Sequence, residues 1–226
     1  MTDKEIITKF KTFTNPEKET RLGQIAFSGT SVYATDGRLA VDGRLEVLHS
    51  EEVPEKYPIK SLREILGAPR ANQNWFAIRF AEFELLDQQF KEAYKAEWQD
   101  RLRNYRTRYT EEECPCCGET VYWDSWDEKL VKEKEEMSDF DPREVEKSTL
   151  VRFTSGESVL VNFCYLHLLV QAFGRDIRLA IGHCTDEKNP MLHIRTADAR
   201  VYGVLMPLRS YGGDFRANFI LNVDPV

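Results

Sequence analysis

The sequence predicts a protein of the α+β class, in which antiparallel sheets are backed by short helices and a helical arm is inserted between two strand-rich ends. Strand patterns and turn residues are concentrated in the first and last thirds of the 226-residue chain, whereas the middle carries a long amphipathic pattern. The strands do not alternate with helices as they do in a parallel sheet. We therefore expect residues 1–81 and 149–226 to form one α+β domain and residues 82–148 to form the arm.

The first strand-rich end predicts a helix followed by an antiparallel meander. Residues 4–13 carry apolar side chains at spacings of three and four, which is typical of an amphipathic helix. Asp36-Gly37 and Asp42-Gly43 are both typical of hairpin turns, because these residue types tolerate the backbone conformations that tight turns need. The other elements predicted in this region are strands at 24–28, 32–35 and 75–80 and a helix at 59–66.

The middle of the chain predicts a basic helix and an acidic segment. An apolar stripe predicts one long helix from Glu82 to about Tyr109. Residues 126–147 are highly charged and are expected to be helical; within them, 127–146 holds nine acidic and four basic residues. The arginines near the end of the first helix are Arg101, Arg103, Arg106 and Arg108. We expect them to pair with the acidic segment; the alternative is that they grip a nucleic-acid backbone together with neighbouring tyrosines.

The last third of the chain returns to strands. A helix is predicted from Asn162 to Phe173, and its end is predicted there because Gly174 is typical of a helix end. The strands predicted here lie at 158–161, 177–181, 191–196, 201–206 and 216–223, with the third and fourth forming a hairpin.

Composition and charge exclude some classes of protein. A formal net charge of -7 argues against a protein that coats DNA by bulk attraction, although basic residues gathered on one face remain compatible with it. No apolar run approaches the ~20 residues of a membrane helix. The N-terminal stretch MTDKEIITKF lacks the apolar core of a signal peptide. We therefore expect a cytoplasmic protein without membrane contact.

The segment Cys114-Pro115-Cys116-Cys117-Gly118 is the most specific chemical motif. Its spacing resembles a zinc knuckle, in which proline and glycine let the loop turn so that the thiolates of Cys114 and Cys117 face one metal ion. Further ligands are expected from Cys116, from Cys164 with His167, or from His183 with Cys184. The alternatives are free thiols at a loop tip or a redox-active thiol cluster. If zinc is bound, we expect it to stabilise a segment that has little core of its own.

Enzyme signatures are absent from the sequence. We find no P-loop, no glycine-rich dinucleotide motif after a strand, no nucleophile elbow and no paired-histidine zinc protease motif. The many carboxylates are not paired in a recognisable catalytic frame. We therefore expect a binding protein rather than an enzyme.

Two short motifs resemble the family of bacterial DNA polymerase sliding clamps, the β subunit of the replicative polymerase. Residues 34–40, with the sequence ATDGRLA, resemble the clamp hairpin signature, and residues 206–209, with the sequence MPLR, resemble the clamp's C-terminal tetrapeptide. The helix that carries Tyr165 and Leu166 also resembles one in the last clamp repeat. The resemblance covers residues 1–70 and 150–209, and seventeen residues follow it that we expect to cover the pocket where partner peptides dock in clamps.

The resemblance implies how such a protein would contact DNA and partners. Clamp rings encircle DNA, and their helices present basic side chains to phosphates without contacting the bases specifically. The DNA-facing candidates that it implies are Lys4, Lys9, Lys11, Lys60, Arg63, His167, Gln171 and Arg175. One chain of this length is too short to close a ring, so self-assembly into a homo-oligomer is expected, with protein partners and DNA as possible ligands.

Two functions follow as hypotheses. The first is a DNA-clamp-like, non-enzymatic binding protein associated with DNA replication, which carries an inserted arm with zinc. The second is a zinc-binding interaction or adaptor protein of phage or mobile-element type, without clamp activity.

Overall fold

The computed structural model describes residues 1–14, 22, 24–55, 57–67, 74–114, 116–135, 143, 145, 147–183, 190–208 and 217–226. The chain divides into two compact units. The larger unit comprises Met1–Asp87 and Glu146–Val226, and the smaller unit comprises Gln88–Val145.

The larger unit is built on one mixed sheet with short helices. Its helices are α1 (Asp3–Phe10), followed by a single 3-10 turn at Lys11–Phe13, α2 (Ile59–Gly67) and α4 (Phe163–Phe173), together with the start of α3 (Phe80–Arg108). Its strands are β1 (Ala26–Thr35), β2 (Leu39–Glu52), β3 (Phe76–Ile78), β7 (Ser148–Phe153), β8 (Ser158–Asn162), β9 (Ile177–His183), β10 (Pro190–Thr196), β11 (Val201–Leu205) and β12 (Phe219–Pro225).

The sheet joins strands from both ends of the sequence. Its nine strands follow the order β1-β2-β11-β10-β9-β3-β12-β7-β8, and every neighbouring pair is antiparallel except β12 with β7. The two ends meet where β2 pairs with β11, in register from Leu39 opposite Leu205 to Gly43 opposite Val201, and where β3 lies between β9 and β12. This arrangement confirms the predicted α+β class with antiparallel sheet and short helices.

Helices α1 and α2 pack on opposite faces of the β1-β2 hairpin. A Cβ atom at Gly43 would lie 2.7 Å from Cγ2 of Ile6 and 2.9 Å from Cζ of Phe10, so α1 covers the face to which position 43 points. Leu62 of α2 belongs instead to a buried cluster that includes Ala40. Because successive strand residues point to opposite faces, positions 40 and 43 mark the two sides.

The predicted turn at Asp42-Gly43 is therefore wrong. Gly43 lies inside the 14-residue strand β2, and glycine is needed there because α1 approaches the backbone closely. The turn predicted at Asp36-Gly37 is confirmed, and Gly37 has a φ of 90°. The two strands predicted at 24–28 and 32–35 are one strand, β1, in which Gly29 has a φ of 62° and the register shifts on either side of it.

Side-chain caps start two of the helices that flank the sheet, and α4 ends before Gly174 as predicted. The hydroxyl of Thr2 accepts from the backbone N–H of Glu5, whose carboxylate accepts in return from the N–H of Thr2, and this capping box starts α1. The side chain of Asn162 accepts from the N–H of Cys164 at the start of α4, and Gly174 follows its last residue. Strand β7 is an element that the sequence pattern did not reveal.

The smaller unit combines most of α3 with a three-stranded antiparallel sheet. Its strands, in the order β4-β5-β6, are β4 (Tyr109–Glu113), β5 (Thr120–Asp124) and β6 (Lys129–Val131). The expectation that residues 126–147 are helical is wrong at 129–131, which form β6 against β5. Residues 136–142, 144 and 146 lie outside the described residues.

Among the described residues, Arg108 of α3 makes the expected link to the acidic segment, through Glu135, and also pairs with Asp124 just before that segment. Two guanidinium nitrogens of Arg108 donate to the two carboxylate oxygens of Asp124 at 2.8 and 2.6 Å, and a third donates to Glu135 at 2.8 Å. The Arg108 and Asp124 side chains are 10% and 2% exposed. This buried bidentate pair joins the C-terminal end of α3 to strand β5 of the three-stranded sheet.

Among the described residues, no helix combines the length and the apolar character that crossing a bilayer requires.

Candidate binding pocket and cysteine cluster

The two motifs singled out in the sequence meet in the larger unit. Strand β11 pairs with β2, so that Leu205 lies opposite Leu39, and the backbone N–H of Met206 donates to the carbonyl of Arg38 at 2.9 Å. The N–H of Leu208 donates to the carbonyl of Leu160 at 2.8 Å. Arg209 lies outside the described residues.

A mostly apolar cavity of about 160 Å³ opens where these motifs meet α2. We call it the α2 cavity. It is lined by Leu22, Thr35, Gly37, Arg38, Leu39, Ala40, Pro58, Ser61, Leu62, Ile65, Val204 and Met206. The hairpin turn thus forms one wall and α2 the other, while β11 closes the end. Residues 217–226 of the tail are not among the lining residues. Residues 209–216 lie outside the described residues, so the expectation that the tail covers such a pocket stays a prediction.

The turn that forms this wall is held by Asp36. One carboxylate oxygen of Asp36 accepts from the N–H groups of Arg38 and Leu39, both at 2.9 Å, and the N–H of Gly37 donates to the hydroxyl of Thr35 at 3.0 Å. These bonds fix the backbone on which the cavity-lining side chains stand.

Helix α4 also holds this turn, through a hydrogen bond from Tyr165 to Asp36. The hydroxyl of Tyr165 donates to the second carboxylate oxygen of Asp36 at 2.8 Å, and both side chains are buried. Burial, together with the Asp36 charge, raises the pKa of Tyr165 well above its usual range, so the phenol stays protonated and remains a donor. The part of α4 that resembles the clamp family is therefore joined to the hairpin motif.

The sequence did not predict the α2 wall as part of a site. Leu62 and Ile65 belong to the apolar stripe of an ordinary amphipathic helix, which predicts burial but not a cavity, and Pro58 directly precedes that helix.

The DNA-facing candidates do not form one surface. Lys60 and Arg63 lie on α2, on the opposite sheet face from Lys4 and Lys9 of α1. The exposed candidates are Lys4, Lys11, Lys60, Arg63, Gln171 and Arg175.

Two exposed arginines among these candidates are paired with acidic side chains. Arg175 pairs with Glu84 at 2.6 Å. Arg63 donates to Ser28 and lies 3.7 Å from Glu51. These acidic neighbours reduce the positive potential available to a phosphate.

The expectation that His167 faces DNA is wrong. Its side chain is buried in the larger unit, and its Nδ1 is hydrogen-bonded to the carboxylate of Asp87. A buried imidazole with such a partner stabilises the packing of α4 rather than contacting a phosphate.

The cysteine cluster, Cys114, Cys116 and Cys117, lies in the turn between β4 and β5. The three sulfur atoms are all within 4.8 Å of one another, and the Sγ atoms of Cys114 and Cys116 are 2.9 Å apart. The turn is closed by the N–H of Gly118, which donates to the carbonyl of Cys114 at 2.9 Å, and Gly118 has a φ of 75°. Three thiols at this separation can bind one metal ion.

The surroundings of Cys114 favour its thiolate. Hydrogen bonds from the Cys116 thiol, and then from the backbone N–H groups of Cys116 and Cys117, lower the pKa of Cys114 to about 7. The thiolate is the form of cysteine that binds metals.

Cys164 is buried in the core of the larger unit and is not in the group of ligand atoms that lie within 4.8 Å of one another. His167 is engaged with Asp87, as described above. The side chain of His183 and all of Cys184 lie outside the described residues. Among the described residues, the group whose ligand atoms lie close enough together to hold a metal ion is the cysteine cluster. A carboxylate beside it belongs to Glu119, whose Oε2 lies 3.8 Å from Sγ of Cys117.

Comparison with known proteins finds solved structures that are similar to this chain. The chain is similar to DNA polymerase III subunit beta from Borrelia burgdorferi in complex with a natural product, with a TM-score of 0.45 and 13% sequence identity. The match covers 92% of this chain and 61% of that one, so the chain spans less than two thirds of that subunit. No family model and no curated protein matches the sequence.

Proposed function

We propose that this chain is a non-enzymatic, clamp-related binding protein of the cytoplasm, associated with DNA replication, which docks a peptide segment of a partner protein in the α2 cavity. The observation that carries the proposal is that the two clamp-like motifs, more than 160 residues apart in sequence, line one apolar cavity together. The turn is rigidly held by Asp36 and Tyr165, so the cavity is formed before a ligand arrives.

The chemistry of the α2 cavity suits one or two apolar side chains of an extended peptide. Leu39, Leu62, Ile65, Val204 and Met206 supply apolar contacts. Methionine adapts to differently shaped apolar partners. Recognition of a short segment through a few buried anchors is a common mode of protein–protein binding.

A peptide-binding measurement tests this docking site. The probes are two matched sets of capped, fluorescently labelled hexapeptides, one with an adjacent Leu-Phe pair and one with Ser-Ser in its place. We expect anisotropy to detect members of the first set, and we expect Ser61→Tyr, which places a ring in the mouth of the cavity, to weaken their binding at least tenfold.

The matched control is Glu64→Tyr, since Glu64 is exposed on the same helix but does not line the cavity. Equal binding by the Ser61→Tyr and Glu64→Tyr variants, or equal binding of the two peptide sets, contradicts the proposal.

Self-assembly and DNA contact extend the proposal. A ring requires several copies of this chain, and the face that carries α1 and α4 offers Lys4, Lys11 and Gln171 as exposed polar side chains. Sedimentation distinguishes this hypothesis from the adaptor alternative, because a protein that stays monomeric at high concentration does not encircle DNA.

We propose as a second function that the cysteine cluster holds a structural zinc ion. The specific observation is the convergence of three sulfur atoms within 4.8 Å in a turn whose unit has few buried apolar residues. Cys114, Cys116 and Cys117 would supply three of the four ligands of a tetrahedral ion, and the Glu119 carboxylate is the fourth candidate.

Metal analysis tests the zinc site. We expect near-stoichiometric zinc in protein purified without added metal, and its loss in the Cys114→Ser/Cys117→Ser double variant. Cobalt substitution adds the absorption of thiolate-bound Co(II), which we expect to be reduced in Cys116→Ser. The control is Cys164→Ser, because Cys164 belongs to the core of the larger unit. Absence of metal from the wild type, or metal content that is unchanged in the double variant, contradicts zinc binding at the cluster.

A further inference from the structure

A second cavity, of about 510 Å³, lies at one end of the sheet of the larger unit. We call it the Arg195 cavity. Its wall includes the amide of Asn74, the indole of Trp75, the hydroxyls of Thr154 and Ser155, and the guanidinium of Arg195. None of the described side chains that line it is acidic, and Arg195 is the one positively charged side chain among them. The hydroxyl of Ser155 already donates to the carboxylate of Glu157 at 3.0 Å, so Arg195, Asn74 and Thr154 supply the remaining donors.

Arg195 is held in surroundings that disfavour its charge. It stands on β10 directly opposite Arg178 on β9, and like charges in that position destabilise a sheet. Among the described residues, no side-chain carboxylate lies within 4.0 Å of Arg195, and its buried Nε has no hydrogen-bond acceptor. Burial and the neighbouring Arg178 lower the pKa of Arg195.

The side chain of Arg195 is nevertheless fixed in position. Its guanidinium stacks over the Trp75 indole, with 4.4 Å from Cζ to the ring centroid, and Trp75 in turn packs edge-on against Tyr202. A guanidinium on an aromatic face keeps its donor edge available for a planar or tetrahedral oxyanion. Its Arg178 neighbour is occupied differently, because it donates to the carbonyls of Arg175 and Ile177.

We propose that the Arg195 cavity binds a small phosphate ester, whose phosphate group is held by Arg195 and by the donors of Asn74 and Thr154. An anion there offsets the repulsion between Arg195 and Arg178, which no described acidic side chain does. Arginine together with hydroxyl and amide donors is a common set of phosphate ligands. The cavity is larger than a bare phosphate and lies in the size range of small-molecule sites, so the remainder of the ligand has room beside Trp75.

Titration of the full chain with three probes tests the proposal. The probes are ribose 5-phosphate, inorganic phosphate and acetate, and the readout is the chemical shift of the Trp75 indole N–H, assigned with Trp75→Phe. We expect saturable binding of the ester, weaker binding of inorganic phosphate and the weakest binding of acetate. Acetate binding more tightly than inorganic phosphate would overturn the assignment to phosphate in favour of a carboxylate ligand.

Substitutions separate a built site from general charge attraction. We expect Arg195→Gln to weaken binding of ribose 5-phosphate at least tenfold, and Arg195→Lys to weaken it less, because lysine keeps the charge but not the planar fork. Arg152→Gln is the control, since Arg152 is exposed on β7 and does not line the cavity. Thr154→Val is a second test, which does not depend on whether the Arg195 variants fold. We expect it to weaken binding of ribose 5-phosphate several-fold. Equal affinity of the wild type and Arg195→Gln, or equal losses in Arg195→Gln and Arg152→Gln, would overturn the proposal.

Discussion

Replacing Asp36 with alanine is expected to lower the free energy of unfolding of the larger unit by about 3 kcal/mol and to abolish peptide docking in the α2 cavity. Asp36 accepts from the N–H groups of Arg38 and Leu39 and from the buried hydroxyl of Tyr165. Alanine leaves these donors without an acceptor, and the phenol cannot reach water in its place. Urea denaturation measures the stability loss, and peptide anisotropy measures the docking.

The control for this substitution is Asp198→Ala. Asp198 has a similar local role, since its carboxylate accepts from Thr196 and from the N–H of Arg200, but its side chain is 40% exposed. Water replaces those hydrogen bonds, so we expect a loss of about 1 kcal/mol or less and unchanged docking. Equal losses for Asp36→Ala and Asp198→Ala would contradict the anchoring role of Tyr165.

Replacing Asp124 with alanine is expected to unfold the smaller unit or to lower its unfolding midpoint by about 10 °C or more. The substitution removes the bidentate partner of Arg108 and leaves the guanidinium buried against Tyr109 and Trp126, at 4.9 and 4.7 Å from their ring centroids. Asp127→Ala is the matched control, because Asp127 is 45% exposed and lies 3.8 Å from the same guanidinium. Loss of the amide signals of residues 88–135 in the first variant, but not in the second, is the expected result.

The same pair predicts how the smaller unit responds to acid. The hydrogen bond from Arg108 lowers the pKa of Asp124 to about 2, below the ordinary value of 3.8. A carboxyl with a lowered pKa stabilises the folded state fully above its unfolded value and loses that contribution as the pH falls through its folded value. We therefore expect the wild-type unit to lose stability between pH 4 and 2. In Asp124→Asn we expect this component of the acid dependence to be missing, and an unchanged acid profile would count against the pair.

Local sequence patterns predicted a helix or strand correctly where interactions within that segment determine its conformation. The spacing of apolar residues predicted α1 and α3, and Gly174 predicted the end of α4. Gly43 shows the limit of such patterns. Asp-Gly is a strong turn signal, but at this position glycine serves the close approach of α1, which is a tertiary contact.

The candidate sites also divide into those formed by a local motif and those formed by segments distant in sequence. The hairpin motif and the cysteine spacing are local, so they were found in the sequence. The α2 wall of the cavity and the Arg195 cavity depend on strands that meet through the order of the nine-stranded sheet, and no local pattern encodes that order. His167 was predicted to face DNA because the pattern of its helix indicates an amphipathic surface helix. That helix is buried on more sides, and the partner of His167, Asp87, lies 80 residues away in sequence.

Mapping a photocrosslinked peptide shows where on the chain an apolar peptide docks. The probe is the Leu-Phe hexapeptide with a diazirine analogue in place of its leucine, irradiated with the full chain and located by mass spectrometry. We expect cross-links to the α2 cavity, on residues 35–40, 58–65 or 204–206, which are lost when unlabelled peptide competes. Competed cross-links that fall elsewhere on the chain, with none at these three segments, would contradict docking in the α2 cavity.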